Sequence, residues 1–166
     1  MQTTHRLTQL RAALLLACPL LTCPLIAGAH ITLPPGAIPA GAVHTATFRV
    51  GHACAGASST TGITLRAPEG FEILEVAPRP GWGIQRQGQE VRWTADGPQH
   101  ALPAHERTTF DVTGRLPAQA GTLWFKVLQV CDSGQVDWAE VPGVDGASEK
   151  PARPAARLEV QERASR

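Results

Sequence analysis

An antiparallel β-sandwich is the architecture this sequence predicts, and three observations carry the prediction. Short runs of alternating apolar and polar residues recur along the chain, as at Phe48/Val50, Ile63/Leu65 and Phe125/Val127. Proline and glycine turn signals separate those runs, with 16 Gly and 14 Pro in the chain. No convincing helical apolar period follows the N-terminal segment, so the class is all-β, with about eight or nine short strands.

The chain opens on a segment of another kind. Residues 1–29 combine a basic start (Arg6, Arg11), an apolar run from Ala12 to Ile26 and small residues at Ala27 and Ala29, the three parts of a secretory signal. Pro19 and Pro24 interrupt the run, which argues against a spanning helix. Lipidation at Cys18 or Cys23 is the rival reading. Cleavage after Ala29 leaves 137 of the 166 residues, the size of one domain, beginning with His30. The domain is expected over 30–160, with a disordered tail at 161–166. The expected location is periplasmic or secreted, with no membrane span in the mature chain. Its mature charge, 13 basic against 14 acidic residues, implies no field for nucleic acid.

Each strand is justified by its own pattern. Ile31-Thr32-Leu33 alternates into the turn Pro34-Pro35-Gly36 and predicts a short first strand. Ala42 to Val50 puts Ala46, Phe48 and Val50 on one face; His44 falls on that face near the strand start. A small-residue loop, 51–61, carries His52 and Cys54, and 62–67 alternates with Ile63 and Leu65 inward. The turn Pro68-Glu69-Gly70 leads to a strand through Phe71, Ile73, Leu74 and Val76. Trp82 to Gln85 and Gln89 to Thr94 follow, with Trp82 as a core or rim plug and Val91 and Trp93 sharing a face. His100 and His105 lie in a polar, proline-broken loop and read as solvated. Thr108 to Leu116 turns Phe110 and Val112 inward, and 122–130 places Leu123, Phe125, Val127 and Gln129 on one face. Strands at 135–141 and 156–160 complete the set. In the former, period-two geometry puts Trp138 and Glu140 on the same face.

The functional expectation starts at His30. As the first residue of a mature chain it offers a metal two nitrogens, its α-amine and ring Nδ1, which close a six-membered chelate. Both lose their protons to a strongly binding ion such as Cu(II) at neutral pH. Cys54 and Cys131 are the only cysteines after the leader, and in an oxidising compartment a disulfide is their default state. The rival is a thiolate site from His52, Cys54 and Cys131, which lacks CxxC spacing and an axial methionine, since Met1 is the only one. Glu69, at its turn, and Glu140, beside Trp138, are the carboxylate candidates.

The ordered set His30-Ile31-Thr32, Thr47-Phe48-Arg49-Val50 before Cys54, Ala67-Pro68-Glu69-Gly70, Pro80-Gly81-Trp82, Gln129-Val130-Cys131 and Trp138-Ala139-Glu140-Val141-Pro142 resembles the YcnI-like copper-binding domain family of exported bacterial proteins. The resemblance implies a cupredoxin-like or immunoglobulin-like sandwich that binds one Cu(II). It implies His30 as bidentate ligand, Glu140 as the leading carboxylate, Glu69 as a second candidate and Trp138 as the neighbouring indole. Many members of that family carry a C-terminal membrane anchor; no such apolar run follows the last expected strand in residues 161–166, so membrane tethering is not among the expectations carried over. N and O donors suit Cu(II), whereas Cu(I) finds no methionine in the mature chain.

Three functions are therefore in view. The first is Cu(II) storage, buffering or delivery in copper homeostasis, without catalysis, the partners being copper and other exported copper proteins. The second is a copper-dependent oxygenase built on the N-terminal histidine, for which His44, His52, His100 and His105 are the candidate second imidazoles. The third is a metal-free interaction module.

Overall fold

The computed structural model describes residues 30–144, 148 and 150–164. The leader and cleavage point expected within 1–29 lie outside the described residues. Eleven strands follow in order among those described: β1 (Ala37–Pro39), β2 (Val43–Val50), β3 (Ser59–Arg66), β4 (Glu72–Val76), β5 (Trp82–Gln87), β6 (Glu90–Ala95), β7 (Leu102–Pro103), β8 (Thr108–Arg115), β9 (Gly121–Cys131), β10 (Gln135–Trp138) and β11 (Ala156–Gln161). The only described helical element is a single 3-10 turn, Pro98–His100.

Two sheets face one another. The larger runs β1-β11-β9-β3-β6-β5, with β10 added to β9 and β7 to β3; the smaller runs β2-β8-β4. The strand β9 is the spine of the larger sheet. Its Lys126–Cys131 half pairs with β3 on one side, while its other side is divided between β11, at Gly121–Phe125, and β10, at Val127–Val130. All these pairs are antiparallel; the one parallel strand pair is β1 on β11.

Alternation on β9 sends Leu123, Phe125, Val127, Gln129 and Cys131 inward, all buried. Phe48 of β2 meets Phe125 edge-on at 5.4 Å, and Phe71 meets the same ring at 5.0 Å, so three aromatic rings join the sheets. Each such contact adds roughly 0.5–1.5 kcal/mol to the burial of the rings themselves. Gly114 makes room for this cluster, because a Cβ there would stand 2.2 Å from Phe71 Cζ and 2.7 Å from the Glu72 carbonyl. A second cluster packs Trp82 and Trp93 on Phe110 at 5.3 and 5.4 Å.

The boundaries differ from the sequence reading in instructive ways. β3 begins at Ser59, inside the expected loop, because its first inward residue is the buried Thr60 rather than an apolar one. β1 and β7, at three and two residues, are too short to show a period in the sequence. β10 stops at Trp138, so the strand expected through Val141 is shorter, and Glu140 instead bridges in parallel to Pro154. β11 includes Gln161, the first residue of the expected tail, and Arg163 donates to the Ala40 carbonyl at 3.1 Å.

Candidate functional site

The segment after His30 is held by both its faces. Ile31 and Leu33 are buried in the core, while Thr32 pairs with Arg49 on the edge of β2, the two exchanging backbone hydrogen bonds of 3.3 and 2.8 Å. His30 itself is exposed, at the seam where this segment meets the larger sheet. Its ring lies edge-on to the indole of Trp138, centroids 5.6 Å apart at 73°.

Trp138 is buried, and its indole N–H donates to Gln129 Oε1 at 3.1 Å. Gln129, 1% exposed, uses its amide nitrogen for two further bonds, to the His52 carbonyl at 2.7 Å and to Thr60 Oγ1 at 2.8 Å. A primary amide has two N–H donors, and both are thereby used. The indole is consequently fixed as an apolar wall beside His30, its one donor turned into the core.

The Cys54–Cys131 disulfide is formed, with Cα atoms 6.0 Å apart, so neither sulfur is a thiolate and the His52–Cys54–Cys131 metal site is excluded. The bridge instead anchors the loop that carries His52. The His52 Nδ1 lies 2.8 Å from the Ala53 carbonyl, an acceptor, which puts the proton on Nδ1 and leaves Nε2 free in the neutral ring.

Glu140 is half-buried two residues beyond Trp138. Its backbone N–H donates to the Arg153 carbonyl at 3.0 Å, its carbonyl accepts from Ala155, and its Oε2 accepts the Arg153 N–H at 2.9 Å. Among the described residues this leaves Oε1 as the uncommitted oxygen. Glu69 is exposed in the turn after β3, where Gly70 packs on Pro117 beyond the far end of β8. His30 is at the Thr108 end of that strand, so the structure does not bring Glu69 and His30 together. Among the described residues no three His, Cys, Asp or Glu side chains converge as a metal cluster.

The other histidines separate cleanly. His44 pairs across the sheet with Gly114, again at the end remote from His30. His100 and His105 are exposed, and the His100 carbonyl accepts the Trp82 indole N–H at 2.9 Å. Among the described histidines it is His52 that shares a cleft with His30, of about 450 Å³, whose lining includes Arg49, Arg107, Thr108 and Thr109. Gln129 is the site residue that sequence reasoning passed over as one more inward position of β9. Its signal was present: an amide in an otherwise apolar row.

Fold and site define an immunoglobulin-like β-sandwich with an exposed histidine and a buried indole at the seam of its sheets. The chain belongs to the family described as "Domain of unknown function (DUF1775)", which matches residues 30–89 and 83–160 and is the YcnI-type family it resembles. An uncharacterized protein from Nocardia farcinica with an immunoglobulin-like fold is similar at 25% identity and TM-score 0.67, over 80% of this chain and 98% of that one. A non-cellulosomal cohesin from Archaeoglobus fulgidus is similar in fold at 14% identity and TM-score 0.50, over 80% and 91% of the two chains. The seventh ScaB type I cohesin of Pseudobacteroides cellulosolvens matches at 9% identity and TM-score 0.51, over 82% and 94%. No curated protein matches the chain.

Proposed function

We propose that this protein is an exported Cu(II)-binding protein of copper homeostasis, storing, buffering or handing over the ion through a mononuclear site on His30. The observation that carries the reading is the edge-on packing of the His30 ring on Trp138. It brings the first residue of the expected mature chain to the one indole that has Glu140 two residues away. The donor chemistry fits: an amine and an imidazole nitrogen from His30 with a carboxylate oxygen from Glu140 make a hard-to-borderline N/O set suited to Cu(II). Glu140 Oε2 is steadied by Arg153 N–H, so Oε1 is the oxygen offered. The amine exists only after cleavage, because in the full chain the His30 nitrogen is an amide to Ala29. No helix among the described residues is long and apolar enough to cross a membrane.

The test joins intact-mass analysis of the exported protein to Cu(II) titration read by electron paramagnetic resonance. One equivalent of Cu(II) with nitrogen coupling, lost in His30→Ala, is the expected result. A mature start other than His30, or an unchanged spectrum in His30→Ala, overturns the site. Absence of stoichiometric copper binding would leave the metal-free interaction module.

A copper-dependent oxygenase is the second reading, favoured by His52, which shares the cleft with His30 and has Nε2 free. It requires coupling to a third nitrogen that His52→Ala removes, and copper-dependent consumption of peroxide.

A further inference from the structure

The cleft beside His30 carries a charge that copper binding does not use. Arg49 pairs with Thr109 across β2 and β8, and Arg107 lies two residues before Thr109. Alternation sets Arg49 on the outward side of the smaller sheet, since Ala46, Phe48 and Val50 take the inward side. Arg107 stands just before the first residue of β8, and both arginines are exposed. Both line the cleft, together with His30 and His52, and no aspartate or glutamate lines it. Among the described residues neither arginine forms a salt bridge, whereas Arg66, Arg115 and Arg157 each have an acidic partner. Gly51, also in the lining, presents no side chain.

Two like charges lining one cleft with no acidic residue beside them repel each other and attract an anion. Two guanidinium forks lining one cleft, with the exposed Thr109 opposite Arg49, offer the paired donors that carboxylate or phosphate oxygens accept. We propose that this cleft is an oxyanion-binding site, taking a small multiply charged carboxylate or phosphate between the guanidinium groups of Arg49 and Arg107. The site works without the metal, and its test is run on metal-free protein so that its outcome is independent of the copper reading.

The purified, metal-free, ¹⁵N-labelled protein is titrated at low ionic strength with citrate and, in parallel, with inorganic phosphate. Saturable shifts at the Gly51, His52, Thr108 and Thr109 amides are expected with at least one anion. The tighter of the two identifies the source as a polycarboxylate or a phosphate. Arg49→Gln and Arg107→Gln each weaken binding about tenfold or more, the loss of one charge-assisted hydrogen-bonded pair. Arg49→Lys and Arg107→Lys keep the charge but lose the fork, and fall between wild type and the glutamine variants. Arg92→Gln, on the solvent side of β6, leaves affinity unchanged. Absence of saturation by either anion at about 10 mM, weaker than the mM regime of a small-ligand site, overturns the proposal. An equal loss in Arg92→Gln also overturns it, by showing binding to net charge alone.

Discussion

The Gln129 side chain joins Trp138 to the His52 loop: Oε1 takes the indole N–H at 3.1 Å while Nε2 donates to the His52 carbonyl at 2.7 Å. One buried amide thus sets both the wall beside His30 and the loop across the cleft. Gln129→Leu leaves the indole N–H, a carbonyl and the Thr60 hydroxyl without this partner inside the protein. The expected cost is about 2–4 kcal/mol, from the desolvation of unpaired buried groups. Urea unfolding measures it; a change under about 0.5 kcal/mol, the scale of a surface substitution, would mean that the network contributes nothing.

Glu140 and Glu69 are distinguished by place. Under the proposed copper reading, Glu140→Gln should alter the Cu(II) spectrum and weaken binding, because it replaces a charged oxygen donor two residues from Trp138. Glu69→Gln, in the exposed turn beyond the far end of β8, should leave spectrum and affinity as in wild type. The reverse order would transfer the carboxylate role to Glu69.

The disulfide closes a loop between positions 77 residues apart and so limits the unfolded chain. Replacing both cysteines by alanine should lower stability by roughly 3–5 kcal/mol in the chain-entropy account. It should also raise amide exchange at His52 and Ala53, whose loop the bridge anchors. Unfolding midpoints together with hydrogen exchange test the two effects separately.

Burial holds the His44 pKa below its ordinary value of 6.5 by disfavouring the charged ring. Between the folded and unfolded pKa values the unfolded chain binds more protons, so stability rises with pH there. The contribution is complete above the unfolded value and is lost as pH falls through the folded one. Urea midpoints should drop on acidification from pH 7.5 toward pH 5, and the drop should be smaller in His44→Gln. An identical pH profile for the two proteins would remove His44 as the cause.

What the sequence made legible was what its alternation encodes. On β9, Leu123, Phe125, Val127 and Gln129 all turn inward as the pattern required, and the paired cysteines form their bridge. Short pairings are different: β1 and β7 gain their hydrogen bonds from distant partners, β11 and β3, and carry no period of their own. The same holds for the site. The packing of His30 on Trp138 arises because an N-terminal segment on β2 and a strand on β9 meet at one seam, which no local spacing encodes. Glu140 shows the converse error, since a period of two was extended past the point where β10 ends. Arg49 and Arg107 look like ordinary solvated charges until the fold sets both in the lining of one cleft with His30.

The Thr32–Arg49 pairing has a bearing on solubility as well as on the position of His30. The strand β2 is the border of the smaller sheet, and the segment from His30 to Leu33 covers part of that border. Removal of those four residues would uncover backbone groups able to recruit a strand from another molecule. A chain without those residues would therefore lose the histidine and gain a bare strand border in the same cut, and would self-associate through it.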